Sequence, residues 1–375
     1  MREKRLLGTM IHLFRERTQK VYLQLLCNDE TARQHCGTLR VNRPDESIGR
    51  FYSDFRHMYA QMNRLGADRR PFIALISAFA DYGWIFQDSC VTRSGVMWDF
   101  RGKRNFIPRV VKVRPQIIQS YPPDKDTYRQ AFDAVMREQR EGQCWLLNLS
   151  FSTPVCCNMP LCEMFHASRA LYRFCFPGRF VFFSPEPFVR IEKGRIHTYP
   201  MKGTIDASLE NAELLLLEDP KEAAEHLTVV DLLRNDLSRV SGNVHVQRYR
   251  YVERISGSAG DILQTSSHIT GTLDNDWHNS IGDIFSQLLP AGSVTGAPKR
   301  KTVELIRTIE NHDRGFYAGV ALRYDGTDLD STVCIRFIEQ NENALKYKSG
   351  GGITIYSNCD SEYAELRKKV YIPYV

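Results

Sequence analysis

The chain has 375 residues, of which 42% are hydrophobic and 25% charged, and its formal net charge at pH 7 is +6. This composition is ordinary for a globular protein with a large core. The small net charge and the dispersed Lys and Arg residues argue against a nucleic-acid-binding protein. No apolar run approaches the roughly 20 residues of a membrane span, and no signal-peptide core follows the N-terminus. We therefore expect a cytoplasmic location, with neither a nucleic acid nor a membrane as partner.

The first part of the chain divides into two predicted regions. Residues 1–57 are basic and carry no sustained hydrophobic period. We predict an extension here, either a loosely attached helical segment or translated sequence upstream of a true start at Met58 or Met62. Residues 58–119 are predicted to form the N-terminal part of a β-rich body, because short apolar runs such as Phe72–Ile76, separated by Gly and Asp, are typical of strands.

Residues 120–375 are predicted to form the larger part of the body. The hydrophobic period indicates a helix over 124–141 and a strand over 180–184. A second helix is predicted to start at Asp219, because a capping residue, a proline and a glutamate occur there at the expected spacing. That helix carries Glu225 on an apolar face, where a carboxylate needs a partner. Two interpretations stay open, a structural ion pair with a nearby arginine or a metal ligand.

A lysine and a glutamate are brought together by a predicted hairpin. The hairpin over 190–196 places Glu186 alongside Lys202 or the residue before it. Lys202 is followed by Gly203 and Thr204, which leave space beside the amine and add a hydroxyl. A lysine with a carboxylate neighbour in a desolvated pocket can act as a base or nucleophile, whereas a solvated surface lysine is the alternative interpretation.

A glycine-rich segment over 289–299 leads into a predicted helix whose first residue is Pro298. Ser293 and Thr295 lie in this segment. The free N–H groups and the helix dipole at such a junction favour an anion site, and a plain turn is the alternative. The spacing of the glycines and the lysine excludes a nucleotide P-loop.

The C-terminal third is predicted to be mostly strands. An antiparallel meander is predicted over 316–348, with Arg336 in the middle of a strand. Three glycines, Gly350 to Gly352, then allow either a bulge or a close approach of the backbone to a ligand. A final helix carries Glu362 and Glu365 three residues apart on one face. This pair is interpreted either as a divalent-cation site or as a solvated acidic helix start.

Taken together, these motifs resemble those of the chorismate-binding enzymes, which include anthranilate synthase component I, aminodeoxychorismate synthase component I and the isochorismate and salicylate synthases. The resemblance is dense over 120–375 and weaker over 71–119. It implies an α+β fold, a large and mostly antiparallel β-sandwich flanked by helices. The segments that carry the resemblance are Ser184 to Phe188, Pro200 to Thr204, Glu225 to Asp236, Pro290 to Lys299, Arg314 to Tyr317, Ile335-Arg336, Gly350 to Gly352 and Glu362 to Glu365.

Lys202 favours one branch of this family. At this place anthranilate synthases have a sequence similar to Pro-Ile-Ala-Gly-Thr, and aminodeoxychorismate synthases have one similar to Pro-Ile-Lys-Gly-Thr. Because Lys202 stands at the third position, the chain most resembles aminodeoxychorismate synthase component I. The resemblance implies that Lys202 attacks C2 of chorismate as the C4 hydroxyl departs, that ammonia then attacks C4, and that Glu186 is the general acid and base. The expected product is 4-amino-4-deoxychorismate, on the route to 4-aminobenzoate and folate.

The resemblance also implies a cofactor and a substrate pocket. Glu225 and Glu365, with Glu362 close by, would hold Mg²⁺ against the ring carboxylate of chorismate, and oxygen ligands suit this hard cation. A guanidinium, a tyrosine and the three glycines would grip the pyruvyl carboxylate. The residues implied for the substrate pocket are Gly203, Thr204, Ser293, Thr295, Tyr317, Arg336, Gly350, Gly351 and Gly352.

Two further proteins are implied by the resemblance. The sequence contains no Gly-x-Cys-x-Gly nucleophile loop, so ammonia is expected from a separate glutamine amidotransferase subunit, and an aminodeoxychorismate lyase would act on the product. Gln264 departs from the family pattern, because many relatives carry a histidine at this place. Three alternatives stay open: an anthranilate synthase component I, an isochorismate-type synthase, and a non-catalytic scaffold that binds chorismate.

Overall fold

The computed structural model describes residues 49–87, 94–255, 261–342 and 344–373. Most of the extension predicted over 1–57 lies outside these ranges. Within the described residues, no helix combines the length and the apolar character that crossing a membrane requires.

Strands make up most of the described secondary structure, and helices flank them. The strands, in chain order, are β1 (Arg50–Tyr52), β2 (Phe72–Ile76), β3 (Gly83–Gln87), β4 (Met97–Phe100), β5 (Lys103–Arg104), β6 (Ile117–Ser120), β7 (Leu146–Cys157), β8 (Tyr172–Phe176), β9 (Phe180–Ser184), β10 (Pro187–Glu192), β11 (Arg195–Thr198), β12 (Met201–Asp206), β13 (Gly242–Ile255), β14 (Ile262–Thr272), β15 (Gly296–Ala297), β16 (Val320–Tyr324), β17 (Leu329–Val333), β18 (Phe337–Asn341) and β19 (Ala344–Thr354). The α-helices are α1 (Phe55–Ala67), α2 (Lys125–Arg140), α3 (Leu161–Ala167), α4 (Ala212–Glu218), α5 (Pro220–Ser238), α6 (Ile281–Leu288), α7 (Lys299–Ile309) and α8 (Cys359–Lys368).

The strands build two antiparallel sheets. The first, of ten strands, has the order β1-β3-β2-β16-β17-β10-β11-β14-β12, with β13 also paired to β14. The second, of nine strands, has the order β15-β7-β19-β18-β9-β8-β4-β5, with β6 also paired to β7. The α+β fold expected from the sequence, with large antiparallel sheets flanked by helices, is confirmed.

Aromatic side chains connect the two sheets. The ring of Phe86 in the first sheet lies 6.2 Å from that of Phe174 in the second, and Trp84 lies 5.4 Å from Phe176, measured between ring centroids. All four side chains are buried. Full burial of a phenylalanine side chain stabilises a fold by about 1.5–3 kcal/mol. The rings therefore form a continuous core that holds the sheets face to face.

The folded body begins earlier than the sequence suggested. Strand β1 pairs with β3, with Phe51 opposite Trp84. Helix α1 buries Met58 and Met62 completely. The boundary predicted at residue 57 therefore falls inside a helix, and translation from either methionine would remove part of the core. The buried residues of α1 recur at helical spacing, which was a usable signal, but the predicted boundary divided it. They are Met58, Tyr59, Met62, Leu65 and Gly66.

Several predicted helices are confirmed. The helix predicted over 124–141 is α2, and the Asp124 side chain caps it by accepting a backbone N–H. The helix predicted from Asp219 is α5. The helix after the glycine-rich segment begins at Lys299, one residue later than predicted, because Pro298 has an extended backbone.

The C-terminal third forms two hairpins instead of one meander. Strand β16 pairs with β17 in the first sheet, whereas β18 pairs with β19 in the second. The chain crosses between the sheets over 334–336, and Arg336 there has a φ of 51°. The prediction of Arg336 in mid-strand is therefore wrong. Polar and apolar residues keep alternating through the crossover, so the pattern did not reveal it.

A buried ion pair joins helix α7 to the second sheet. Arg314 Nη2 lies 2.7 Å from Glu310 Oε1, and the two side chains are 1% and 2% exposed. Arg314 also donates to the carbonyl oxygens of Val294 at 2.7 Å and Asn148 at 2.6 Å. Glu310 in turn accepts a hydrogen bond from the backbone N–H of Ser150 at 2.7 Å. The pair thus fixes the end of α7, strand β7 and the turn that contains Val294 relative to one another.

Replacing Glu310 by glutamine is expected to lower the free energy of unfolding by about 3–5 kcal/mol, because the buried Arg314 charge loses its partner. Urea titration followed by circular dichroism measures this difference. Glu304→Gln is the matched control in the same helix, since it removes only an exposed pair with Arg300, and it should cost less than about 1 kcal/mol. Equal losses in the two variants would show that the buried pair is not a structural anchor.

Candidate functional site

A cavity of about 270 Å³ is lined by both sheets, by helix α5 and by the turn after helix α6. Most residues that the sequence analysis assigned to catalysis or substrate binding line it, although they come from segments far apart in the chain. These residues are Glu186, Lys202, Ser293, Tyr317, Arg336, Gly350, Gly351 and Gly352.

A β-bulge determines where Lys202 points. In the pairing of β12 with β14, Lys202 lies opposite Thr265 and Thr204 lies opposite Gln264, so that Gly203 is the extra residue. Gly203 has a φ of 74°, a conformation that glycine adopts without steric cost. Bulges redirect the neighbouring side chains. Here Lys202 lines the cavity, whereas Thr204 is exposed. Among the residues that the structure describes, Gln264 does not line the cavity.

The amine of Lys202 lies between a carboxylate and a glycine. Its Nζ is 3.5 Å from Oε2 of Glu225, and the two side chains are 26% and 15% exposed. A Cβ atom at Gly352 would stand 3.4 Å from the same Nζ, so the missing side chain leaves room beside the amine. Lys202 and Glu225 also line a second cavity of about 320 Å³. The ion-pair interpretation of Glu225 is therefore supported, with Lys202 as a partner.

A buried histidine ties helix α5 to the strands around Lys202. His226 Nε2 lies 2.7 Å from the Ser267 hydroxyl, and the backbone N–H of Ser267 donates to the Pro200 carbonyl at 3.0 Å. Burial lowers the pKa of His226 to about 4, helped by the positive charges of Arg250 and Lys202. The imidazole is thus neutral at physiological pH. It holds the helix that carries Glu225 at a fixed distance from β12.

Glu186 presents a carboxyl group to the same cavity. Burial raises the pKa of the Glu186 carboxyl, while a hydrogen bond from Ser293 and the positive charges of Lys202, Lys369 and Arg336 oppose this rise. A carboxyl group that stays protonated to higher pH than an ordinary glutamate is suited to donate a proton near neutral pH. The geometry therefore fits a general acid placed in the same cavity as a nucleophilic amine.

Two cationic side chains supply anion-binding groups. The guanidinium carbon of Arg336 lies 5.1 Å from the ring centroid of Tyr371. Lys369 donates to the carbonyl oxygen of Gly350 at 2.9 Å, and its Nζ lies 2.8 Å from Oε1 of Glu365. The sequence analysis missed Lys369, although its position four residues after Glu365, on the same helix face, was a usable signal.

Three residues predicted for the substrate pocket do not line the cavity. Thr295 is buried, and its hydroxyl donates to the Ala291 carbonyl at 2.8 Å. Thr204 is exposed. Gly203 lies in the bulge, where a Cβ would come within 2.9 Å of Glu222 Oε2. In the structure these residues shape the strand and the turn that carry Lys202 and its neighbours.

The lysine of the segment 289–299 is used inside the fold. Lys299 Nζ donates to both carboxylate oxygens of Asp236 at 2.9 Å and to the Leu288 carbonyl at 2.7 Å. This lysine therefore anchors helix α7 to α5. The contribution of the segment to the cavity comes from Ser293 and Val294.

The three glutamates predicted to hold Mg²⁺ lie near the glycines of strand β19. Glu225 contacts Lys202, Glu362 Oε2 is 3.6 Å from the position of a Cβ at Gly351, and Glu365 contacts the lysine four residues later. Within the described parts of the chain, no three His, Cys, Asp or Glu side chains are gathered closely enough to hold a metal ion. The donor chemistry fits a hard divalent cation, since all three side chains offer carboxylate oxygens. As placed, two of these carboxylates pair with lysine amines.

Comparison with known proteins identifies the family. The sequence pattern of the chorismate binding enzymes matches residues 106–374. An uncharacterized PabA-like protein of Haemophilus influenzae is 44% identical over 323 residues, which are 86% of this chain and 98% of that protein. Anthranilate synthase component 1 of Mycolicibacterium smegmatis is 37% identical over 194 residues, which are 50% of this chain and 36% of that protein.

Solved structures share the fold. The menaquinone-specific isochorismate synthase MenF of Escherichia coli aligns with a TM-score of 0.66 at 19% identity, covering 85% of this chain and 82% of that one. Anthranilate synthase component I of Streptococcus pneumoniae aligns with a TM-score of 0.61 at 20% identity, covering 90% and 81%. At such identities the likeness concerns the fold alone, whereas the family match spans most of the chain. The chain belongs to the chorismate binding enzyme family.

Proposed function

We propose that this protein is an aminodeoxychorismate synthase component I, which converts chorismate and ammonia to 4-amino-4-deoxychorismate. The observation that carries the proposal is the position of Lys202, whose amine lines the cavity together with Glu186 and has open space at Gly352. An alanine at position 202, as in the Pro-Ile-Ala-Gly-Thr motif of anthranilate synthases, would offer no amine. The proposed substrate is chorismate because the family binds it.

The proposed reaction passes through a covalent adduct of Lys202. The neutral amine attacks C2 of chorismate, the two ring double bonds shift, and the C4–O bond breaks while Glu186 protonates the departing hydroxyl, which leaves as water. The new bond leaves the Lys202 nitrogen as a secondary ammonium group, which can later depart as the neutral amine. Ammonia then attacks C4, the double bonds shift back, and the Lys202 amine leaves C2. Glu186 takes the extra proton from the new amine, so chorismate and ammonia give product and water.

The anionic groups of chorismate have partners on the other side of the cavity. Arg336 and Lys369 provide positive charge, and a guanidinium binds a carboxylate with two parallel hydrogen bonds. Gly350 to Gly352 lack side chains, which allows a ligand to approach the backbone N–H groups of β19. The buried hydroxyl of Tyr317 adds a hydrogen-bonding group. We propose that the pyruvyl carboxylate binds here.

We also propose that Glu225, Glu362 and Glu365 hold Mg²⁺ beside the ring carboxylate. When bound, the cation would supply positive charge that neutralises this carboxylate and withdraws electrons from the ring. Lys202 and Lys369 would then exchange their contacts with glutamate for contacts with substrate. Ammonia would come from a separate glutamine amidotransferase subunit, and an aminodeoxychorismate lyase would act on the product, all in the cytoplasm.

Amination at C2 is the second candidate function. Relatives named anthranilate synthase component 1 are 37% identical over 50% of this chain and 34% identical over 67% of it. The two functions differ in the carbon that ammonia attacks, so product analysis separates them.

Lys202→Ala is expected to reduce formation of 4-amino-4-deoxychorismate below detection, because the nucleophile is removed. Chorismate affinity should change little, since Arg336 and Lys369 remain. The assay incubates purified protein with chorismate, Mg²⁺ and ammonium, then adds lyase and quantifies 4-aminobenzoate by chromatography. Binding is measured separately by calorimetry.

Lys103→Ala, which changes an exposed lysine of β5, is the matched control and should leave turnover intact. In wild type, the intact mass after a quench should include a species heavier by chorismate less water. Anthranilate or isochorismate as the wild-type product would refute the proposed function, as would unchanged turnover in Lys202→Ala.

Glu186→Gln tests the proposed role of Glu186 as the general acid. Because burial raises the pKa of Glu186, its protonated form persists to higher pH than in an ordinary glutamate, and kcat should fall as pH rises through that raised pKa. Glutamine cannot titrate, so the variant should lose this limb of the pH profile and at least about 100-fold of kcat. Glu192→Gln in β10, outside the cavity, should keep the wild-type kcat and the wild-type pH profile. If Glu186→Gln still shows the fall of kcat with rising pH, another group causes that fall.

Glu365→Gln tests the metal site. Loss of one carboxylate should raise the Mg²⁺ concentration that gives half-maximal activity by about 10-fold or more. The measurement is a Mg²⁺ titration at saturating chorismate. Glu213→Gln changes an exposed carboxylate of α4 and should leave the titration unchanged. An unaltered midpoint in the first variant would remove Glu365 from the site.

A further inference from the structure

Asn148 places an unpaired polar atom in the wall of the cavity. Its side-chain carbonyl oxygen, Oδ1, is buried and accepts no hydrogen bond from the described residues, and Asn148 is one of the lining residues. A buried acceptor without a partner costs about 1–3 kcal/mol. Such a cost is recovered when a ligand supplies the missing donor. None of the steps derived above uses this amide.

Hydrogen bonds on both sides hold the backbone of Asn148 in place. Its N–H donates to the carbonyl oxygen of Thr295 at 2.9 Å. Its own carbonyl oxygen accepts from Arg314 Nη2 at 2.6 Å. The amide therefore projects from a point that the buried Arg314–Glu310 pair holds in place. The unpaired oxygen is a built feature of the cavity wall.

Asn148 and Lys202 lie over the same strip of backbone. The pairing of β7 with β19 places Asn148 opposite Gly352. Asn148 Oδ1 is 3.0 Å from the position of a Cβ at Gly350, and Lys202 Nζ is 3.4 Å from the position of a Cβ at Gly352. Residues two apart on a strand share a face and are separated by about 7 Å. A six-membered ring resting on these glycines would therefore meet the amine at one edge and the amide at another.

The hydrogen-bonding groups of the Asn148 amide limit which part of the ligand can bind to it. An asparagine side chain is uncharged and offers one carbonyl acceptor and two N–H donors. The carboxylates of chorismate have the cations Arg336 and Lys369 and the proposed metal site as partners. The remaining ring substituent that can donate a hydrogen bond is the hydroxyl at C4, and the amine that replaces it is also a donor.

We infer that Oδ1 of Asn148 accepts a hydrogen bond from the C4 substituent of the ring, the hydroxyl in the substrate and the amine in the product. This contact sets the rotation of the ring relative to the Lys202 amine. The identity of the substituent rests on the proposed function. A site with a buried acceptor rejects a ligand that lacks the matching donor, because the acceptor then stays unpaired.

The test compares the binding of chorismate with that of its 4-deoxy analogue, by calorimetry and without ammonia. Every protein in the comparison carries Lys202→Ala, so that no covalent adduct forms, and wild type here means the natural residue at position 148 in that background. Wild type should bind chorismate more tightly by about 5- to 150-fold, the range that corresponds to an unpaired buried acceptor. Asn148→Leu, of similar size but without the oxygen, should lose this preference. Its melting temperature should not fall, because the substitution removes an atom that had no partner. A merely structural asparagine would give a lower melting temperature and an unchanged preference.

Ser152→Ala is the matched control. Ser152 lies on the same strand and its hydroxyl is also buried without a partner, but it is not among the described residues that line the cavity. Its preference for chorismate should equal that of wild type. If the leucine variant has no melting transition, Asn148→Ala removes the same oxygen without adding bulk and gives the same comparison.

Equal binding of the two ligands by wild type, or a preference that persists in the Asn148 variant, overturns the inference. The outcome is separable from that of the proposed function. A protein that discriminates as expected but forms anthranilate would refute the proposed reaction and leave the Asn148 contact standing. A protein that forms 4-amino-4-deoxychorismate without this discrimination would refute the contact alone.

Discussion

The buried pair of Arg314 and Glu310 is the constraint on which the cavity wall depends. Two charged side chains, almost fully removed from water, are stable only because each meets several partners. Those partners belong to strand β7, to helix α7 and to the turn that carries Ser293. A charge that has left water cannot shift without losing these bonds, so the pair sets the distance between the turn and the strand on which Asn148 lies.

The cavity combines flexible charged groups with this rigid frame. Lys202 and Lys369 each contact a glutamate, so the charges of these two amines are paired within the protein. Long lysine side chains can exchange one carboxylate for another at small cost, because they are partly exposed and such pairs are weak in that environment. The rigid parts, which are the bulge at Gly203, the glycines of β19 and the neutral His226, determine where those amines can reach.

Much of the fold could be predicted from the sequence, and each prediction that failed has a physical reason. Helix α2 and strand β9 were predicted because local period and capping determine them. The crossover at Arg336 was not, because a chain that leaves one sheet for another keeps the same alternation of side chains. Helix α1 was missed because it lies across the predicted boundary at residue 57, although its buried side chains recur at helical spacing. Asn148 was missed because its role depends on the pairing of β7 with β19, whereas Lys369 had a local signal in its position four residues after Glu365.

The sequence by itself determined the family, the antiparallel character of the body, and the chemistry available at Lys202, Glu186 and Arg336, because these depend on residue identity and local spacing. Only the tertiary structure decided which side chains face the cavity. A bulge turned Lys202 inward and left Thr204 outside, and a buried hydrogen bond took the Thr295 hydroxyl away. Direction depends on register and on long-range pairing, which alternation along one strand does not encode.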